Sequence, residues 1–327
     1  MPSSLSLTAA LASSQTASHP TGIPATARCP RGIGLLFLDL DGTIIQAGQI
    51  SKRVRQALRR ARRCGCVLAV SSGRPLGMMP HQLRRISVDY YLCANGATVY
   101  DATGATLRSV ALQRDDITRV IEAVSPLDPG WNVFCESTCF IERSAMSYMT
   151  GGVRDLRKKI RAHLPRSRKA FRVIFVTLKN HFFGEQGKRI VHSINPIVVE
   201  HDEFEKIGCS FRTAEACDEA ARRLEELGGF EVARVWAREL EITAAGATKG
   251  LAADWLLDHL GVERERTVAF GDSMNDASLI GHVGRFVAMG NGSDEVKALA
   301  DEVCGTLVAD GVATWLEEQM EEAKGRS

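Results

Sequence analysis

Four short stretches of the chain concentrate the side chains that could do chemistry: Leu35 to Thr43 (LLFLDLDGT), Val70 to Pro75 (VSSGRP), Thr248 to Gly250 (TKG) and Phe270 to Asp276 (FGDSMND). Folded together, they gather carboxylates, a lysine, a hydroxyl and glycine-rich backbone, a combination that suits a divalent metal ion and a phosphate. Asp39 and Asp41 stand two residues apart at the end of an apolar run, so they start out on the same side of a strand. Two neighbouring carboxylates repel, and burial raises at least one pKa unless a cation neutralises them; a divalent metal is the expected cation. Asp41-Gly42 also reads as an ordinary turn after a strand. The later stretches weigh against that reading.

The elements that must position these groups are short. Leu35 to Leu40 reads as a strand buried on both faces, with Gly42 allowing a sharp turn at its carboxyl end. Val67 to Val70 and Thr267 to Ala269 read as two more such strands. In open α/β sheets the carboxyl ends of the strands are where ligands bind. Asp272 then falls at a strand tip and Asp276 one helical turn later, ahead of a helical pattern from Ala277 to Ile280. The hydroxyls and free N–H groups of Ser71, Ser72 and Gly73 can cradle a phosphate, although a helix cap would use the same residues. Arg74 either holds the wall of the site or pairs with a carboxylate at a helix start. Lys249 opens an amphipathic helix with Leu251, Trp255, Leu256 and Leu260 at helical spacing and Gly261 as the stop. A cation there is opposed by the helix dipole, so an anionic neighbour is expected.

These residues resemble the motifs of the haloacid dehalogenase superfamily, and of its Cof-type phosphatases with a large inserted cap, across roughly residues 33 to 318. Asp39-Leu40-Asp41-Gly42-Thr43 resembles the first motif, Ser72 the second, where threonine is more usual, Lys249 the third, and Gly271-Asp272 through Asn275-Asp276 the fourth. Cys93-Ala94-Asn95-Gly96-Ala97 with Tyr100-Asp101, and Met289-Gly290-Asn291-Gly292 with Val296-Lys297 and residues 310–313, resemble the Cof branch in particular.

The resemblance implies an α/β fold: a Rossmann-like three-layer core with a mainly parallel sheet, plus an inserted α+β cap. It implies Asp39 as nucleophile on a phosphomonoester, forming an aspartyl-phosphate, and Asp41 as general acid and base. Mg2+ would be held by Asp39, Asp272 and the main-chain carbonyl of Asp41. Lys249 and Ser72 would complete the phosphate pocket, with Leu40, Thr43, Gly73 and Asn275 as further contacts. Asp276 would orient Lys249 or a metal-bound water, and Asn95 would support the site from behind. Two other readings stay open: a phosphomutase on the same scaffold, and a non-catalytic phosphoacceptor of the receiver type. The latter needs no cap, so the long insertion between Ser72 and Lys249 favours an enclosed small molecule.

A chain of 327 residues has room for a core and an inserted domain, and its 45% hydrophobic content is ordinary. A net charge of +2 argues against a general nucleic-acid binder. The basic run from Lys52 to Arg63 reads as the solvated faces of a helix whose buried stripe is Val54, Ala57, Leu58 and Ala61. The nine cysteines show no metal or redox spacing, which suggests reduced thiols and a cytoplasmic home. No apolar run is long enough to span a bilayer. Whether the chain is monomer or dimer is not legible.

The expected organisation is a disordered arm over residues 1–32, a discontinuous core of 33–111 and 244–320, a cap of 112–243 and a polar tail of 321–327. Within the cap, Asp116 to Val124, Met149 to His163 and Glu215 to Leu227 read as helices. Trp131 to Cys139, Phe171 to Leu178, Ile190 to Glu200, Ile207 to Phe211, Glu231 to Trp236 and Glu239 to Thr243 read as strands. Together they imply one antiparallel sheet covered by helices. The stretch Leu178 to Arg189 reads as a loop that either touches substrate or is a plain exposed connection.

Overall fold

The computed structural model describes residues 32–46, 48–148 and 187–324. The chain starts with β1 (Leu35–Leu38), α1 (Lys52–Arg63), β2 (Val67–Ser71), β3 (Tyr90–Cys93), β4 (Thr98–Asp101) and β5 (Thr106–Ser109). Next come β6 (Leu112–Gln113), α2 (Arg114–Val124), β7 (Gly130–Cys135), β8 (Thr138–Glu142), β9 (Lys188–Val191), α3 (Asn195–Glu200) and β10 (Glu203–Phe204). They are followed by β11 (Lys206–Ser210), α4 (Ala214–Leu227), β12 (Phe230–Trp236) and β13 (Glu239–Ala244). The chain closes with α5 (Lys249–Leu260), β14 (Thr267–Gly271), α6 (Met274–Ala277), β15 (Arg285–Ala288), α7 (Asp294–Leu299), β16 (Glu302–Val303) and α8 (Gly311–Lys324).

The first sheet has the order β16-β15-β14-β1-β2-β3-β4-β5, and every pairing from β16 to β3 is parallel. All four residues of β1 are fully buried, and their alternation serves two cores at once. Leu36 and Leu38 join Val54, Leu58, Trp315 and Leu316 from α1 and α8 on one face. Leu35 and Phe37 join Ala252, Ala253, Leu256 and Leu257 of α5 on the other. This is the three-layer α/β core that a strand apolar on both faces requires. The buried stripe of α1 is Val54, Ala57, Leu58 and Ala61, as its spacing implies. The stripe of α5 differs from the expected one. Leu251 is exposed and Trp255 half-buried, because the small residues Ala252 and Ala253 let the helix lie close to the sheet with Leu256 and Leu257.

The second sheet, β12-β13-β11-β7-β8-β9, is antiparallel except for the β8–β9 pair, which is parallel rather than antiparallel as expected. Its apolar face, with Val133, Ile207, Cys209, Leu240 and Ile242, packs on Ile117, Val120 and Val124 of α2 and Cys217, Ala220 and Leu224 of α4. The expected strand Trp131 to Cys139 is a hairpin, because Glu136 and Ser137 both take left-handed φ values, 48° and 61°, and turn the chain. The expected strand Ile190 to Glu200 is β9 followed by α3, where Pro196 sits in the first turn of the helix. The helix expected over Ala277 to Ile280 lies one turn earlier, at Met274–Ala277, and residues 278–280 form turns. The expected helix Met149 to His163 and strand Phe171 to Leu178 lie outside the described residues, as does most of Leu178 to Arg189.

Candidate active site

The carboxyl ends of β1, β2 and β14 lie side by side, since β1 pairs with both of the others in register. Asp39, Ser72 and Asp272 follow those three strands directly. Lys249 arrives from below. Thr248 caps α5 through its side chain, and the Lys249 ammonium, fully buried, donates to Asp39 Oδ1 at 2.8 Å and Asp276 Oδ1 at 2.5 Å. That is the anionic neighbourhood a lysine at a helix start needs. α5 can come this close because Gly250 has no side chain; a Cβ there would stand 2.0 Å from the Ser278 carbonyl oxygen.

One oxygen of Asp39 is taken by Lys249, and Oδ2 makes no hydrogen bond among the described residues. Burial pushes the Asp39 carboxyl well above the usual carboxylate range; Asp276 adds to this and Lys249 opposes it. Asp272 is pushed to about 7, by burial first and by Asp276 second. Burial works against the charge on Lys249, but Asp276 and Asp39 outweigh it and hold the ammonium above its ordinary range.

Oxygens of Asp39, Asp272 and Asp276 lie within 4.8 Å of one another. Asp276 is fully committed: Oδ1 to Lys249, and Oδ2 to the backbone N–H groups of Asp272 and Ser273 at 3.0 and 3.2 Å. Asp272 Oδ1, in contrast, is buried with no hydrogen-bond partner. Gly42, at φ +90°, lies so near that a Cβ would stand 2.0 Å from Asp272 Oδ2. The loop after β1 is thus pressed on the Asp272 carboxylate. Hard oxygen donors with an orphaned carboxylate oxygen among them fit a Mg2+ ion.

Asp41 is elsewhere. Its carboxylate is about half exposed and accepts two bonds from Arg74, each 2.6 Å, from Nε and Nη2. The partner that Arg74 was expected to have at a helix start is therefore this acid, from the loop after β1. Ser72 Oγ accepts from the Arg74 N–H at 3.3 Å, and the buried Thr43 hydroxyl lies beside the Asp272 carboxylate, whose charge it favours. The Leu40 carbonyl accepts the N–H groups of Thr43, Ile44 and Ile45, closing the loop. Asn275 is tied through its amide to Ser273 and, at 3.4 Å, to Asn95, which in turn donates to Glu241 Oε2 at 2.7 Å.

The structure gives physical reasons for the two Cof-like segments. Asn95 sits at φ 60° and Gly96 at φ +97°, and Gly96 lies against the Thr248 carbonyl, where a Cβ would be 2.2 Å away. The turn therefore wedges beside the start of α5. Asn291 donates to the Gly42 carbonyl at 2.8 Å and accepts from the Leu307 N–H at 2.7 Å, strapping down the loop after β1.

Lys206 and Glu241 had no sequence signal. Lys206 is 1% exposed and reaches from the second sheet to the Gly73 carbonyl at 2.7 Å and to Glu241 at 2.5 Å. Only their positions on β11 and β13, far from Gly73 along the chain, bring them here.

A family model described as haloacid dehalogenase-like hydrolase matches residues 36–316. The chain belongs to that family. It falls in the Cof-type branch and is an enzyme of the hydrolase class. A putative phosphatase of Haemophilus influenzae is 28% identical over 88% of this chain and 98% of its own. The pyridoxal phosphate phosphatase YbhA of Escherichia coli is 26% identical over 86% of this chain and 97% of its own. A haloacid dehalogenase-like hydrolase from B. subtilis superposes with a TM-score of 0.75 at 24% identity, covering 87% of this chain and 99% of the other, and so shares the fold. Among the described residues no helix is long and apolar enough to cross a membrane.

Proposed function

We propose that this hydrolase is a Mg2+-dependent phosphatase that cleaves a small phosphorylated metabolite, a sugar phosphate or a phosphorylated cofactor, through an aspartyl-phosphate on Asp39. The observation that carries this reading is the asymmetry of Asp39: Lys249 fixes one oxygen, the other makes no hydrogen bond among the described residues, and the carboxylate lies within 4.8 Å of those of Asp272 and Asp276. The phosphatases among the relatives, one of them acting on pyridoxal phosphate, support the substrate class.

In this mechanism Asp39 Oδ2 attacks phosphorus, and the bond to the leaving alkoxide breaks as Asp41 gives it a proton. Asp41 then takes a proton from water as that water attacks the phosphoryl group and frees Asp39. Lys249, Ser72, Thr43 and the backbone of Leu40 and Gly73 bind the phosphoryl oxygens and offset their charge. Asp276 positions Lys249, and Asn275 and Asn95 brace the rim. Asp39, Asp272 and the carbonyl of Asp41 would hold Mg2+, which supplies positive charge against the repulsion between carboxylate and phosphate. The second sheet, whose Lys206 and Glu241 reach Gly73 and Asn95, covers the site from this side and helps exclude water.

The test is a panel of phosphomonoesters with and without Mg2+, scored for inorganic phosphate, on the wild type and Asp39→Asn. Metal-dependent phosphate release by the wild type, reduced at least a thousandfold in the variant, is the expected result. An isomeric phosphate ester in place of phosphate would assign a phosphomutase. Comparable activity in the variant would overturn the nucleophile.

A further inference from the structure

Leu240 and Ile242 of β13 point into the apolar core of the second sheet, so Glu239 and Glu241, which alternate with them, lie on the opposite face. Across the strand pairs, Ser210 stands opposite Glu239 and Gly208 opposite Glu241, with Asn132 opposite Gly208 on the far side. The Asn132 amide leans over Gly208, where a Cβ would meet it at 2.5 Å. This face looks onto the catalytic loops, because Lys206 and Glu241 on it bond Gly73 and Asn95.

Two kinds of polar group share the face. Lys206 and Glu241 satisfy each other and the core loops. Glu239 and Ser210 do not. Ser210 is 3% exposed and its hydroxyl finds no hydrogen-bond partner. The Glu239 side chain, facing it, makes no hydrogen bond or ion pair among the described residues, although Lys206 and Lys188 lie near enough to favour its charge. A buried hydroxyl and a carboxylate left unpaired cost free energy that a bound ligand would recover. Glu239 is two residues beyond Glu241, about 7 Å along the strand from the contact with Gly73. That is the reach of a leaving group of a few carbon atoms whose phosphate rests at Ser72 and Gly73.

Building on the phosphatase reading above, we propose that Glu239 and Ser210, with Asn132 beside them, form the subsite for the leaving group and select one that carries hydroxyl or amine donors. In its ionised form the Glu239 carboxylate only accepts, so it takes a donor from the leaving group. Glu239 itself disfavours a leaving group bearing a carboxylate, whereas the charge of Glu241 is offset by Lys206.

The experiment compares Glu239→Gln and Ser210→Ala with the wild type in Mg2+, using the best polyol, sugar or amine phosphate of the panel alongside p-nitrophenyl phosphate, whose leaving group offers no such donor. Melting curves confirm that both variants fold. The expected result is a ten- to hundredfold loss of kcat/KM on the hydroxylated or aminated ester, with p-nitrophenyl phosphate changed less than about threefold. Equal losses on both substrates, no loss on either, or a wild type that prefers carboxylate-bearing esters would overturn the subsite while leaving the phosphatase intact. A wild type silent toward every ester defeats the phosphatase reading itself, and the subsite falls with it.

Discussion

The Arg74 guanidinium grips Asp41 with two 2.6 Å bonds, while Asp39, two residues earlier, is held by Lys249. Two cations from different elements thus separate the two acids of one motif and give each a different environment. Arg74→Ala frees the Asp41 side chain to rotate, and we expect kcat to fall about ten- to hundredfold with a smaller change in KM. Arg74→Lys should recover only part of this, because an ammonium cannot reproduce the paired geometry of the planar fork. Steady-state kinetics of the two variants check both statements.

Lys249 is the sole cation that the described residues place between Asp39 and Asp276. Lys249→Met leaves two buried carboxylates facing each other, so the metal-free protein should lose about 3–5 kcal/mol of stability, read by urea unfolding. Loss of activity without loss of stability would contradict the burial seen here.

Gly42 combines a left-handed φ of +90° with direct contact on Asp272. Gly42→Ala both strains the backbone and displaces that carboxylate, so the Mg2+ concentration for half-maximal activity should rise at least tenfold. A metal titration measures it, and Gly32→Ala, where a Cβ meets nothing within 4 Å, serves as control.

Burial pushes Glu239 to about 7, Glu241 adds to the shift, and Lys206 and Lys188 oppose it. Its ordinary value is 4.5, so between these two pH values the folded chain keeps a proton that the unfolded chain has lost. Stability from this group is complete below the lower value and declines as pH rises through the higher one. Glu239→Gln should therefore melt together with the wild type at pH 4 and about 3 °C above it at pH 8. Calorimetry at the two pH values decides this.

Much of the core was legible because its strands are short apolar runs ending in chemistry-bearing residues, and a strand's direction dictates which end carries them. Asp39, Ser72 and Asp272 could be placed at one end of the sheet on that basis, while Lys249, at a helix start, announced only that an anionic neighbour was needed. The middle of the chain was harder. The hairpin at Glu136-Ser137 carries no glycine or proline to announce its turn, and the span Ile190 to Glu200 has the β-branched content of a strand but folds in part as α3. Local preference there yields to packing against the second sheet.

The order of residues along the chain determined the acidic motifs, the strands that carry them and the family to which they belong, since each depends on neighbours a few positions apart. Pairing between distant parts belonged to the tertiary structure. Arg74 finds Asp41, Asp276 spends both its oxygens, Asn291 straps Gly42, and Lys206 and Glu241 descend from another sheet onto Gly73. Such contacts depend on how two sheets meet across a gap, and side-chain spacing along a single strand or helix holds no record of that meeting.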